Sequence, residues 1–263
     1  MSFQIASAVE RVRDQVFRAQ VPDGWQQGRG AFGGLVLGLL TRAMVAVEAE
    51  PARRLRTLIG DICGPVMPGE AEISVEVLRR GAHLSNLDAR LTQAGAVLAR
   101  ASATLGSARN VQSAPRSPAP PLPMEWAALP PLPIAPPLGP VFAQHYEYRS
   151  PGPFPFSGST EARIEAFIRE KQAAGPLDAA GVIALLDSVW PTLYSVETQP
   201  RAMATISFTA ELYCDPASLS GAEPLRYRAQ LAALHDGFMT EFRELWRGDQ
   251  LLALNQQTMA LLR

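Results

Sequence analysis

The sequence offers little from which a metal centre, a disulfide framework or a polyanion site could be built. Its two cysteines, Cys63 and Cys214, stand far apart, in neither a C-x-x-C nor a metal-ligand spacing, and read as reduced core residues. The three histidines, His83, His145 and His235, are scattered, and no H-E-x-x-H or paired-histidine spacing points to zinc. No metal and no cofactor are therefore expected. A net charge of −1 gives no electrostatic case for nucleic acid or for an anionic membrane surface. No apolar run approaches membrane-spanning length, and "MSFQIASAVERVRD" carries charges where a signal peptide needs an apolar stretch. A cytoplasmic protein without membrane or nucleic-acid partners is the expectation. A G-x-S-x-G elbow is also missing, which leaves a serine-hydrolase triad without support.

What the chain does have is apolar bulk and unevenly placed proline. With 263 residues, 47% of them hydrophobic, it can bury the core of one large domain or two small ones. Eleven of its 23 prolines fall in "SAPRSPAPPLPMEWAALPPLPIAPPLGP", residues 113–140, which can form neither helix nor central strand. This stretch reads as a semi-rigid linker lying against the surface. It separates 1–112 from 141–263, and the two flanks resemble each other. Each reads as a strand, a helix and a run of antiparallel strands, an α+β pattern. Leu35, Leu39 and Ala43 recur at helical spacing, as do Val182, Leu185, Leu186 and Val189, and Pro191 should kink or end the second helix. "RRGAH" and "LHDGF" mark turns at equivalent places. The first helix, Leu35 to Val47, is apolar nearly all round and belongs inside a curled sheet.

"GRGAFGG" contains Gly28, Gly30 and Gly33 in a G-x-G-x-x-G spacing. A dinucleotide loop needs a strand running straight into the first glycine. Here Pro22, Asp23 and Gly24 form a turn after the strand-like Gln15 to Val21, so the glycines read instead as points of close backbone approach at a helix start.

The halves differ where polar groups enter core-like positions. Aligning "GLLTRA" with "ALLDSV" sets Thr41 opposite Asp187, and aligning "LARASA" with "LALNQQ" sets Ala103 opposite Gln257. A carboxylate and an amide buried in apolar surroundings are costly unless partnered, so these positions are candidates for a site. Asp187 could instead face solvent or cap a strand end. Gln256 rivals Gln257, but the parity of Ala253, Asn255 and Gln257 matches the small-residue face of Ala99, Ala101 and Ala103.

"FGGLVLG" entering a helix, the run from "RLRTLIGDICGPVMPG" to "ARASATL", then "LLDSVWP", "MATISFTAELY" and "LLALNQQTMALLR" resemble the double-hotdog acyl-CoA thioesterases, the bacterial thioesterase II group. The resemblance implies two tandem hotdog repeats, each with a long central helix wrapped by a curved antiparallel sheet. It implies an acyl-CoA substrate and a homo-oligomer of unspecified number. It also implies that Asp187, Thr205 and Gln257 hold a nucleophilic water, with Phe32, Gly33 and Gly34 on the substrate side. Two of these have competing readings: Thr205 shares its nominal strand face with Ser207, Thr209 and Glu211, which reads as a plain polar side, and Phe32, like Trp25, reads as core or groove wall. A non-catalytic acyl-CoA-binding module and a hotdog hydratase or dehydratase are the alternatives. The latter chemistry wants a histidine near the helix, and neither predicted helix has one.

Overall fold

Alternation of apolar and polar residues sets most of the strands. In Gly69–Arg80 the buried Ala71, Ile73 and Val75 alternate with outward Glu70, Glu72, Ser74 and Glu76, the pattern of a sheet with one buried face. The computed structural model describes residues 1–111, 118–121, 124–173 and 175–262. The first repeat contains β1 (Glu10–Arg13), β2 (Val16–Val21), α1 (Gly33–Val47), β3 (Arg54–Ile62), β4 (Gly69–Arg80), β5 (Leu84–Gln93) and β6 (Ala96–Gly106). The second contains β7 (Tyr146–Arg149), β8 (Arg163–Glu170), α2 (Ala179–Asp187), β9 (Met203–Leu212), β10 (Leu225–His235), β11 (Phe238–Arg247) and β12 (Gln250–Leu261).

These strands form one sheet in the order β1-β2-β4-β5-β6-β3-β9-β12-β11-β10-β8-β7, with Pro131–Leu132 added beyond β7. The order reads the same from either end when each strand is replaced by its counterpart in the other repeat. The seam is the antiparallel pair β3–β9, from Thr57↔Glu211 to Asp61↔Ser207. The sheet curls around α1, which touches β2, β3, β4, β5 and β6. Alanines at 71, 89, 99, 101 and 103 on the inner face leave room for it.

The helices run antiparallel and close together. A Cβ on Gly34 would stand 2.9 Å from Ala184 Cα, and one on Gly38 would meet Ala180 O at 3.6 Å. Asp178 caps α2 by accepting the Gly181 N–H at 2.8 Å. The helical signal extending to Val189 is cut short: α2 ends at Asp187, and Pro191 leads into a 3₁₀ turn, Thr192–Ser195.

The "GRGAFGG" glycines lie beyond a turn at Asp23–Gly24. The strand Val16–Val21 ends before that turn, and a two-residue strand, Gln26–Gln27, leads into Gly28 and folds back antiparallel on Gly30–Ala31, a small hairpin in place of a dinucleotide loop; Gly30 is pressed against Pro65 and Val66. Strand β8, which sequence reasoning did not single out, pairs with β10. Cys214 is buried as expected, but Cys63 is exposed: β3 has already ended at Ile62, so this residue lies past the inner face. Of the proline-rich 113–140, residues 113–117, 122 and 123 lie outside the described residues. The described remainder lies along the second repeat. Arg226 donates to Pro120 O and Pro121 O at 2.7 Å each, and the Arg149 guanidinium sits 4.2 Å over the Trp126 ring. Among the described residues no helix is long and apolar enough to cross a membrane.

Candidate active site

Asp187 is the last residue of α2, and its side chain is turned inward, 7% exposed. That placement removes the solvent-facing reading. Gln257, on β12, is 1% exposed while Gln256 faces outward, as the parity argument requires. Its Nε2 donates to Asp187 Oδ1 at 2.8 Å and to Thr205 Oγ1 at 2.5 Å. Its Oε1 is buried without a hydrogen-bond partner among the described residues.

Thr205 reaches this cluster because of a β-bulge. Thr205 pairs with Met259, yet the next paired residue of β9 is Ser207 with Thr258, followed by Phe208 with Gln257. The extra residue, Ile206, flips the parity of the strand. Thr205 therefore shares the inner face with Phe208 and Ala210, and the face it was expected to share with Ser207, Thr209 and Glu211 turns outward. A strand sequence without a glycine at the insertion carries no local sign of it. The first repeat has its own irregularity between Leu55 and Thr57.

The start of α1 completes the enclosure. A Cβ on Gly33 would lie 2.7 Å from Asp187 Oδ2, and one on Gly34 would lie 2.5 Å from Phe32 Cε2. The Leu35 and Val36 amides donate to Phe32 O, at 3.0 and 3.3 Å, whereas the Gly34 amide acts on the Asp187 carboxylate. Phe32 itself is fully buried, stacked on Phe142 with ring centroids 4.2 Å apart. The structure thus brings Asp187, Thr205, Gln257, Gly33 and Gly34 together and puts Phe32 one step behind, in an aromatic cluster with Trp25.

Burial pushes the Asp187 carboxyl up from the ordinary carboxylate range, opposed by the Arg243 guanidinium, the Gln257 amide and the Gly34 amide. Arg243 and Glu241 on β11 are residues that sequence reasoning missed. The signal was present: in "FMTEFRELWR" both share the parity of the buried Met239 and Leu245. A trough of about 390 Å³ lined by Arg163, Thr209, Arg228, Phe242 and Gln256 lies on the outer face, on the other side of the sheet from Gln257. Arg243 also borders it, but Asp187, Thr205, Gln257, Gly33 and Gly34 do not.

A family model of the acyl-CoA thioesterase N-terminal domain matches residues 21–106, and one of the acyl-CoA thioesterase C-terminal domain matches residues 116–261. No curated protein matches the sequence. A conserved protein of unknown function with hot dog fold from Alicyclobacillus acidocaldarius is similar at a TM-score of 0.89 and 24% identity, over 99% of this chain and 98% of that one. An acyl-CoA thioesterase II from Mycobacterium marinum is similar at a TM-score of 0.78 and 16% identity, over 99% and 98% of the two chains. The tesB protein of Mycobacterium avium subs paratuberculosis is similar at a TM-score of 0.81 and 16% identity, with the same coverage. At such identities the likeness shows the fold alone, a double hotdog spanning the whole chain. The two domain models, matched in order over most of the sequence, go further: the chain belongs to the acyl-CoA thioesterase family and is a thioester hydrolase.

Proposed function

We propose that Asp187, Thr205 and Gln257 hold the water that attacks the thioester carbonyl of a fatty or related acyl-CoA. The observation that carries this reading is the inward-facing chain of hydrogen bonds from Asp187 through Gln257 to Thr205, set beside the buried Glu241 and Arg243. Asp187 accepts the proton of the water as its oxygen bonds to the carbonyl carbon. The C–S bond then breaks, the leaving sulfur takes up the proton that Asp187 accepted, and free acid and CoA leave with the carboxylate restored. Thr205 and the Gln257 Oε1 orient the water, and the amide of Gly33 at the start of α1, next to the Gly34 amide that acts on Asp187, stabilises the developing oxyanion. Phe32 supports that helix start from behind. No metal and no covalent intermediate enters this scheme.

The wider reading has three further parts. We assign 1–112 and 141–263 to the repeats and 113–140 to the connection. The enzyme works in the cytoplasm, where its water-soluble CoA substrate is met. Exposed Ile59 and Phe242, on one row across the outer sheet face, support a homo-oligomer.

Free-thiol release from short, medium, long and aromatic acyl-CoAs, measured on the wild-type enzyme and on Asp187→Asn, tests the site. We expect turnover of the preferred substrate to fall by about a hundredfold or more in the variant. Hydrolysis by Asp187→Asn at the wild-type rate would exclude Asp187 as the base.

A further inference from the structure

Two charged side chains, Glu241 and Arg243, lie on the inner face of β11, 0% and 1% exposed. Burying an ion pair strips both ions of water before pairing recovers any of that loss, so an apolar pair would serve packing at least as well. The first repeat does without them. Register places Leu87 opposite Ala103 where Glu241 stands opposite Gln257, and Ala89 opposite Ala101 where Arg243 stands opposite Asn255. Charge at these two positions thus occurs in the repeat that holds Asp187, and not in its counterpart.

The pair is fixed at every end. Arg243 Nε donates to Glu241 Oε1 at 2.5 Å, and Arg243 Nη1 donates to Leu186 O at 2.9 Å while standing 3.9 Å from Asp187 Oδ1. Glu241 Oε2 accepts from the Thr192 backbone N–H at 2.8 Å and from Thr192 Oγ1 at 2.7 Å. The guanidinium therefore touches the carbonyl immediately before Asp187 and faces its carboxylate. Glu241 is anchored to the segment immediately after the helix.

We propose that Arg243, locked by Glu241, is a positioning residue for hydrolysis: it clamps the C-terminal end of α2 and sets a fixed positive charge against the Asp187 carboxylate. This rests on Asp187 acting as the base. Its role is to offset burial, which otherwise favours the protonated and inactive carboxyl. The ionisable groups bearing on Asp187 are Arg243 and Glu241 from β11, Tyr227 from β10 and Tyr146 from β7. Burial raises both phenols well above their ordinary range, which keeps them neutral. Arg243 is then the cation available to balance the charge of Asp187, and Glu241 works against it.

The test is the pH dependence of kcat/KM for Arg243→Met, Arg243→Lys, the double variant Glu241→Leu/Arg243→Met, and Asp187→Asn. We expect the acid limb of Arg243→Met to move up by about one pH unit or more, with activity recovering at alkaline pH. Arg243→Lys should keep the limb near the wild-type position. The double variant removes an anion as well as the cation, so it should shift in the same direction by less. It also carries the apolar character that the first repeat tolerates at these positions, so it decides the matter if Arg243→Met fails to fold. An acid limb unchanged in these variants, with a rate lowered equally at every pH, overturns the proposal and reduces Arg243 to packing. In that case an inactive Asp187→Asn leaves the base assignment standing. An active Asp187→Asn removes both.

Discussion

Asp187 is pulled in two directions by its surroundings. Loss of water favours its neutral form, while Arg243, Gln257 and the Gly34 amide favour the charged one, and the balance leaves the carboxyl above its ordinary value. The linkage sign follows from that direction. A carboxyl whose folded pKa is raised costs nothing when protonated in both states, begins to cost stability as pH rises through the unfolded value near 3.9, and costs the full amount once pH exceeds the folded value. At neutral pH the native protein therefore carries this penalty. Asp187→Asn removes it while keeping an oxygen to accept from Gln257. We expect this variant to melt above the wild type at neutral pH, and the gap to close as the pH is lowered below about 4. Scanning calorimetry across that range checks it. A variant less stable than wild type at neutral pH, or a gap independent of pH, would show that the carboxylate is a net structural contributor.

The elements around Asp187 differ in how far the sequence discloses them. The start of α1 was legible, because paired glycines ahead of an apolar helix already imply close approach. So was the inward side of β12, because a parity of two is enough to sort Gln257 from Gln256. The inward turn of Thr205 was not legible from strand parity. It depends on Ile206 being left unpaired, and one unpaired residue reverses every assignment on one side of it. The early end of α2 was half legible: Pro191 announces a stop, but the last helical residue is fixed by how Asp187 and the Leu186 carbonyl are held by β11 and β10, through Arg243 and Tyr227. The two glycines of α1 separate packing from chemistry. A methyl at Gly34 meets the Ala184 backbone, which cannot rotate aside, whereas one at Gly33 meets the ends of the Asp187 and Ile62 side chains, which can. Gly34→Ala should cost about 1–3 kcal/mol of stability. Gly33→Ala should retain most stability and lose about tenfold or more in kcat by moving the carboxylate. Thermal unfolding and steady-state kinetics on the two variants distinguish the effects, and equal melting temperatures would refute the packing assignment.

Across the whole molecule the pseudo-symmetry is close in backbone and broken in chemistry. The equivalents of Asp187, Thr205, Glu241, Arg243 and Gln257 in the first repeat are Thr41, Leu55, Leu87, Ala89 and Ala103, and the Thr41 hydroxyl is satisfied by Leu37 O at 2.8 Å. The first repeat contributes something else, the helix start that closes over Asp187. The polar side chains of the proposed site therefore belong to the second repeat, while the first supplies the helix-start amide and the enclosure needs both. The repeats are joined by the β3–β9 ladder and the α1–α2 contact, so covalent continuity through 113–140 is not what holds the enclosure together. It follows that residues 1–112 and 113–263, produced separately, should each be inactive, because one lacks the base and the other exposes it to water together with an unpaired β9 edge. Produced together, they should assemble through the seam and regain thioester hydrolysis. Co-expression followed by co-purification and free-thiol release measures this directly. Hydrolysis by the 113–263 piece alone at the rate of the intact chain would mean that α1 has no part in the site. Assembly without activity would mean that the linker positions more than the two ends it connects.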